Sequence, residues 1–201
     1  MMVRKLMATL AVLLIAVSVS SADEWELGLS AGDESIIGGV HYKSYLPGGG
    51  YYRIGGSGVY VDDSPKEYKW ASADFTVGNE TLSPGLTVDV GLRGILGSAE
   101  KRTVSGDIGA IAFTGGVGYV LPSWTAPIPI ELFSRVTYSP SPLSFADADQ
   151  YLEFTIGGGV RIIENASIVL SYTAYRVDME SGPGDWELED DVFQVGLALR
   201  F

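Results

Sequence analysis

The chain has 201 residues, a length typical of one domain, with 46% hydrophobic residues, 26 glycines and no cysteine. The lack of cysteine excludes a disulfide framework. The formal net charge of −12 argues against nucleic acid as a partner, because such binding depends on Lys and Arg side chains that neutralise phosphates.

Residues 1–22 have the features of a secretory signal peptide. An n-region with Arg4 and Lys5 precedes an apolar core at residues 7–19, and small residues follow as a cleavage site. The apolar run is too short for a membrane-spanning helix of about 20 residues. We therefore expect the signal peptide to be removed and the mature domain to comprise residues 23–201.

Alternation of apolar and polar residues with a period of two predicts about ten strands and no helix in the mature chain. In the fifth strand, for example, Val88 and Val90 alternate with Thr87 and Asp89. The count falls to eight if the glycine-rich stretch at 46–58 does not separate two strands. The strands are predicted at 24–31, 36–45, 51–61, 70–78, from 86 onward, and at 108–121, 130–138, 150–162, 166–177 and 192–201.

The predicted connections are of two chemical kinds that alternate along the chain. Turns rich in Pro, Gly and Asn are predicted at 46–50, 79–85, 122–129 and 164–165. Long charged loops are predicted at 62–69, 98–107, 139–149 and 178–191. Bacterial outer-membrane barrels have short periplasmic turns, long outer loops and an even number of strands, so this alternation favours such a barrel.

Each predicted strand carries its charges on the face opposite its large apolar residues. A soluble barrel would turn the apolar face inward, and a membrane barrel turns it outward. Small residues on the polar face favour a narrow wet lumen, and they include Gly28, Gly91, Gly116, Gly118, Gly157, Gly159 and Gly196. We therefore expect an all-β fold, a transmembrane antiparallel up-and-down β-barrel. The alternative is a soluble periplasmic barrel that binds an apolar ligand.

The last predicted strand, 192–201, ends at an aromatic residue. Ten residues tilted by about 45° rise about 23 Å, close to the apolar band of an outer-membrane barrel. The strand resembles the closing strand of bacterial outer-membrane barrels, which the barrel-assembly machinery reads. The predicted assembly signal comprises Phe193, Val195, Leu197, Leu199 and Phe201.

With its signal peptide, glycine-rich strands such as 154–160, and Phe201, the whole chain resembles the YfaZ-like family of outer-membrane proteins. The motifs behind this resemblance are loose. The resemblance implies no reaction, transported substrate or site residue. We expect a monomer in the bacterial cell outer membrane, reached after secretion through the inner membrane, with membrane lipid, lipopolysaccharide and the barrel-assembly machinery as partners.

Charged residues on the polar faces are expected to form a network in the lumen. A lone buried charge costs on the order of several kcal/mol, so these residues should pair across strands and close the barrel to bulk flow. Glu131 is expected to pair with Arg93 or Arg161. The network comprises the acids Glu26, Asp74, Asp89, Glu131 and Glu153 and the bases Lys43, Arg53, Arg93, Arg135, Arg161 and Arg200. The expected role is structural or that of a small pore.

His41 is the one histidine, so Ser-His or Asp-His catalysis would have to use it. Ser44 lies on the opposite face of the same strand, and an acidic partner would have to come from another strand. A His41-dependent outer-membrane hydrolase is therefore the alternative to a protein without enzymatic activity, cofactor or metal, which we expect. Acidic loop residues such as Asp62 and Asp63 could hold divalent cations, and this stays open.

Overall fold

A computed structural model describes residues 23–80, 83–122, 124–125, 128–180 and 184–201. The predicted signal peptide lies outside these residues. Within them the fold is all-β apart from a 3₁₀ turn at Ser141–Leu143. The strands are β1 (Asp23–Ala31), β2 (Ser35–Tyr45), β3 (Gly50–Asp63), β4 (Lys66–Glu80), β5 (Leu86–Lys101), β6 (Val104–Val120), β7 (Ile130–Ser139), β8 (Ser144–Ala146), β9 (Ala148–Ile163), β10 (Ala166–Met179) and β11 (Trp186–Arg200). In the described part of the chain, no helix is long and apolar enough to cross a membrane.

Ten strands form a closed antiparallel barrel. The order β5-β4-β3-β2-β1-β11-β10-β9-β7-β6 closes through pairing of β5 with β6. The short β8 pairs with β6 at Ile108 to Ala110, beyond the end of β7, and so continues the place of β7 in the wall. The glycine-rich stretch divides into a turn and β3, so the prediction of ten strands is confirmed and eight is wrong.

The barrel closes at a seam between β1 and β11. The seam pairs six residues of each strand, from Glu26 with Arg200 to Ala31 with Val195. Trp25 and Phe201 extend it by exchanging both of their backbone hydrogen bonds at 2.9 Å. The end of the barrel that carries Trp25 and Phe201 is called the terminal end below, and the opposite end, with the turn at residues 64–65, is called the loop end.

The strands are longer at the loop end than the sequence predicts. The predicted charged loops at 62–69 and 98–107 are strand ends joined by tight turns at residues 64–65 and 102–103. The prediction of loops was wrong because the alternation of inward and outward residues continues there. Only the chemical character of the two faces is exchanged, so that apolar residues face inward and charged residues face outward. In β11, for example, Leu188 is buried inside the barrel while Glu189 on the outer face is exposed.

Over the rest of its height the barrel has its apolar face outside. Phe193, Val195 and Leu197 are 50–62% exposed on the outer face of β11, while the inward Gln194 between them is 2% exposed. Leu92 and Phe113 are exposed in the same way on β5 and β6. A continuous exposed apolar belt is the reverse of the surface that a soluble barrel presents to water.

Candidate functional site

A cavity of about 530 Å³ occupies the lumen at the terminal end. It is lined by every residue of the predicted lumen network except Asp74, which is buried and joins the network through His41 and Arg93. The charged lining consists of Glu24, Glu26, Lys43, Arg53, Asp89, Arg93, Glu131, Arg135, Glu153, Arg161 and Arg200.

Arg200 is the centre of the first charge cluster. Its guanidinium donates to both carboxylate oxygens of Glu131, at 2.9 and 2.6 Å, and its Nε donates to Glu26 at 3.1 Å and lies 3.4 Å from Glu24. Arg161 also donates to Glu131, at 2.5 Å. Bidentate guanidinium–carboxylate pairs are among the stronger hydrogen bonds in proteins. The cluster therefore ties β7 and β9 to both sides of the closing seam.

Arg93 forms the second cluster. Its Nη1 donates to the two carboxylate oxygens of Glu153, at 2.8 and 3.1 Å, and the Tyr151 hydroxyl donates to the same carboxylate at 2.7 Å. Asp74 lies 3.9 Å from the Arg93 guanidinium. Arg93 and Glu153 are both buried, so this ion pair links β5 to β9 inside the lumen.

A glycine on β3 leaves room for His41 on β2 to contact a residue on β4. His41 on β2 is the Cα partner of Gly55 on β3, which in turn is the partner of Asp74 on β4. The His41 Nε2 lies 3.3 Å from the Asp74 carboxylate. A Cβ on Gly55 would collide with the imidazole ring, so this contact depends on the glycine.

The Asp89 carboxylate likewise accepts hydrogen bonds from two side chains across an intervening glycine. The Tyr51 hydroxyl donates to it at 3.4 Å across Gly78, and the Arg135 guanidinium donates to it at 3.4 Å across Gly116. A Cβ on Gly78 would lie 2.5 Å from the Tyr51 ring. Inward glycines thus make room for polar contacts that span three strands.

The loop end of the lumen is filled by apolar side chains. Trp70 stacks on Tyr68 with 4.7 Å between ring centroids, and it meets Tyr151 and Tyr175 edge-on at 5.9 and 5.0 Å. These four rings form what we call the aromatic plug. The buried aliphatic residues that surround it are Val59, Val61, Ile95, Ala99, Ile108, Ala110, Ala112, Ala148, Val177, Met179, Leu188 and Val192.

Polar contacts cap the aromatic plug at the loop end. Lys66 donates to the Asp190 carboxylate at 2.7 Å, and the Tyr68 hydroxyl donates to the same carboxylate at 2.8 Å. Lys101 donates to the backbone carbonyl of Glu187 at 2.7 Å. These contacts run from β4 and β5 across the lumen to β11, so the loop end is closed by polar as well as apolar contacts.

The sequence interpretation missed the aromatic plug. Tyr68 and Leu188 lie in stretches predicted to be loops, and Trp70 was placed at the start of a strand without an inward role. The signal that could have found it is the period of two itself, since Tyr68 and Trp70 continue the inward positions of Asp74 and Thr76.

Aromatic residues line the outer face near the terminal end. Trp25, Tyr42, Tyr52 and Phe75 form a chain of ring contacts on β1 to β4, with centroids 5.1 to 6.4 Å apart. Outer-membrane barrels carry an apolar belt flanked by aromatic residues at the lipid–water interface, around a polar interior. The protein is an integral outer-membrane-type β-barrel.

Comparison with solved structures gives matches to other barrels. OmpT of Vibrio cholerae, described as outer-membrane expressed, matches with a TM-score of 0.41 and 10% identity over 83% of this chain and 56% of that chain. The NanC porin matches with a TM-score of 0.43 and 8% identity, over 89% of this chain and 99% of that one. The translocator domain of the autotransporter NalP from Neisseria meningitidis matches with a TM-score of 0.43 and 12% identity, over 98% and 94%.

The architecture is established by the geometry of the barrel itself. This chain spans only 56% of the length of the Vibrio cholerae protein. No family model and no curated protein sequence matches this sequence.

The structure separates the predicted partners of Glu131. Arg161 contacts Glu131, whereas Arg93 pairs with Glu153. The expected pairing of Glu131 with Arg93 is therefore absent from the structure. Lys43 and Arg53 line the cavity but form no salt bridge among the described residues.

The residues of the predicted assembly signal lie along the seam strand. Phe193, Val195 and Leu197 face outward and are exposed, Leu199 is half-buried, and Phe201 bonds to the backbone of Trp25. The role of these residues in assembly stays a prediction.

His41 has the acidic partner on another strand that catalysis would require, namely Asp74. Both side chains face the lumen, and no hydrogen bond from a serine hydroxyl to His41 is present in the described part of the chain.

The loop end carries an acidic rim. A side-chain hydrogen bond with Asp63 and the negative charge of that residue raise the pKa of Glu34 above its ordinary value. Glu34 and Asp63 line a surface depression together with Asp190 and Asp191. Among the described residues, no group of three or more His, Asp or Glu side chains could hold a metal ion.

Proposed function

We propose that the protein resides in the bacterial outer membrane as a plugged β-barrel, with a structural role or that of a small gated pore rather than an open diffusion porin. The terminal end, which carries both termini, faces the periplasm as the termini of bacterial barrels do, and the loop end, where the strands extend beyond the apolar belt, faces outward. The charged cavity is then reached from the periplasm.

The aromatic plug is the observation that carries this proposal. Tyr68 is 1% exposed and Tyr151 is not exposed at all, although both point into the lumen of the barrel. Ten-stranded barrels enclose a narrow interior that side chains can fill. A path for water or ions would require the four rings to separate, and this would expose well-packed aromatic surface.

Planar bilayer recording tests the proposal directly. We expect the refolded wild type to show low or rare conductance, and Trp70→Ala combined with Tyr175→Ala to show a steady conductance, because two large plug side chains are removed. Tyr172→Ala is the matched control, since Tyr172 lies on β10, as Tyr175 does, but its ring is exposed on the outer face. A large steady conductance of the wild type would show that the plug does not close the lumen.

We further propose that the chain belongs to the YfaZ-like family, on the basis of its predicted signal peptide, glycine-rich strands and Phe201. The protein is a non-enzymatic monomer that is secreted through the inner membrane, inserted by the barrel-assembly machinery, and surrounded by lipid and lipopolysaccharide. Loss of a hydrolytic activity on His41→Ala substitution would favour the hydrolase alternative.

A further inference from the structure

Two cationic side chains stand side by side in the cavity at the terminal end. Lys43 and Arg53 are direct Cα partners in the pairing of β2 with β3, and both line the cavity. Like charges directly opposite one another on neighbouring strands destabilise a sheet. Such an arrangement needs compensation from a negative charge.

The nearby carboxylates already contact other side chains. Arg53 attracts Glu26 and Asp74 through space, but Glu26 accepts a hydrogen bond from Arg200 and Asp74 lies against His41. Glu131 accepts hydrogen bonds from two arginines, and Glu153 accepts both hydrogen bonds from Arg93. Glu24 is the Cα partner of Lys43 on β1, but its carboxylate lies against Arg200 and accepts a hydrogen bond from Tyr45. In the described part of the chain, Lys43 and Arg53 are therefore left without a carboxylate in contact.

A third cation lies on the other side of the same cavity. Arg135 has one contact, of 3.4 Å, with Asp89, and the charge of Arg53 is close enough to repel it. The Lys43 ammonium lies 4.7 and 4.2 Å from the ring centroids of Tyr45 and Tyr51, which offer it cation–π contact. Lys43, Arg53 and Arg135, called the cation trio below, thus keep N–H donors available to a ligand.

We propose that the cavity binds a small oxyanion, a phosphate or a carboxylate, through the cation trio. Planar guanidinium groups hold such oxyanions with paired, charge-assisted hydrogen bonds. The cavity volume of about 530 Å³ lies in the range of small-molecule sites. Since the aromatic plug closes the other end, the ligand enters and leaves by the terminal end. The inference goes beyond the proposed function and does not depend on whether the lumen conducts.

Calorimetric titration of the refolded protein tests the site. The protein is held in a maltoside detergent at constant ionic strength, with a bulky sulfonate as the only other anion, and titrated with sodium phosphate and with citrate. We expect saturable binding of at least one of them, weakened about tenfold in Arg53→Gln, because a charge-assisted bidentate contact is lost. Arg176→Gln, at an exposed ion pair with Glu187 outside the cavity, should bind as the wild type does.

A stability measurement separates ligand binding from a structural role of Arg53. Without phosphate or citrate, Arg53→Gln should be about as resistant to urea as the wild type, because the substitution removes the like-charge pair with Lys43 together with the through-space attraction to Glu26 and Asp74. The proposal is overturned if neither anion binds saturably, if Arg53→Gln binds with unchanged affinity, or if that variant is markedly less stable without ligand.

The source of the oxyanion is resolved by repeating the titration in lipid. Loss of phosphate binding in bilayer discs that contain phosphatidylglycerol would show that a lipid headgroup phosphate occupies the site. Unchanged binding there would assign the site to a soluble anion. Either result supports an oxyanion site at the cation trio.

Discussion

At the scale of single residues, inward glycines decide which polar side chains can meet. Adjacent strands lie about 4.8 Å apart, so a contact between alternate strands must cross roughly twice that distance. A side chain on the middle strand would obstruct it. Gly55 leaves the space through which His41 contacts Asp74, and Gly116 leaves that between Arg135 and Asp89.

Gly55→Ala should disrupt the contact of His41 with Asp74. The added methyl group collides with the imidazole ring, which must move and leave the buried Asp74 without this partner. Leaving a buried polar group unsatisfied costs about 1 to 3 kcal/mol, and we expect the free energy of unfolding in urea to fall by about that amount.

Gly28→Ala is the control for this experiment. Gly28 also lines the cavity, but a Cβ there meets no atom within 4 Å, so the change should stay within about 0.5 kcal/mol. Equal stability of Gly55→Ala and wild type would mean that the contact of His41 with Asp74 contributes nothing measurable.

At the scale of the element, each long strand crosses two environments. In β11 the outer face is apolar at Phe193 to Leu197 and charged at Glu189 and Asp191, while the inner face changes from Gln194 to the buried Leu188. An exposed apolar segment followed by an exposed charged segment on the same strand indicates that the barrel wall extends beyond the lipid into water. The loop end therefore projects into water and has an apolar interior like that of a soluble barrel.

Leu197→Arg should impair folding into lipid. Leu197 lies in the exposed apolar belt, where a Lys or Arg at mid-depth costs about 2 to 4 kcal/mol. We expect a smaller folded fraction in lipid vesicles and a lower free energy of unfolding. Asp191→Arg places the same side chain on the same face of β11 beyond the belt, opposite Ala174 on β10, and it should fold normally. Normal folding of Leu197→Arg would show that this face does not meet lipid.

At the scale of the whole molecule, stability depends on the closing seam. The β1–β11 seam is short, and Arg200 reinforces it by contacting Glu26 on β1 and Glu131 on β7. Among the described residues, each of the ten barrel strands has two hydrogen-bonded neighbours, so the sheet closes on itself. Closed hydrogen bonding of this kind is what a β-structure needs in lipid.

The closed barrel should resist detergent until it is heated. We expect the mature protein to sediment with the outer membrane and to migrate faster on a gel when unheated than when boiled. Deletion of Phe201 removes two backbone bonds to Trp25 and should reduce the fast-migrating fraction. Recovery of the wild type in the soluble periplasmic fraction would contradict the assignment to the membrane.

The sequence by itself determined the all-β class and the residues on each face of the predicted strands, because a period of two is a local property of the backbone. It limited the number of strands to ten or eight. It also placed the charged residues of the lumen together. The tertiary structure decided which way each face points, which charged residues pair, and where along the lumen each side chain packs. Whether Leu197 faces lipid, whether Glu131 meets Arg161 or Arg93, and where Trp70 packs all depend on how the sheet curves and closes.

The exchange of faces at the loop end explains the largest difference between sequence and structure. Charged residues such as Glu189 predict loops if each strand keeps its apolar residues on the outer face along its whole length. The structure shows that the environment changes along the strand while the alternation does not. Only the closed barrel brings the four rings together, since Tyr68 and Trp70 lie on β4 whereas Tyr151 and Tyr175 lie on β9 and β10, much later in the chain.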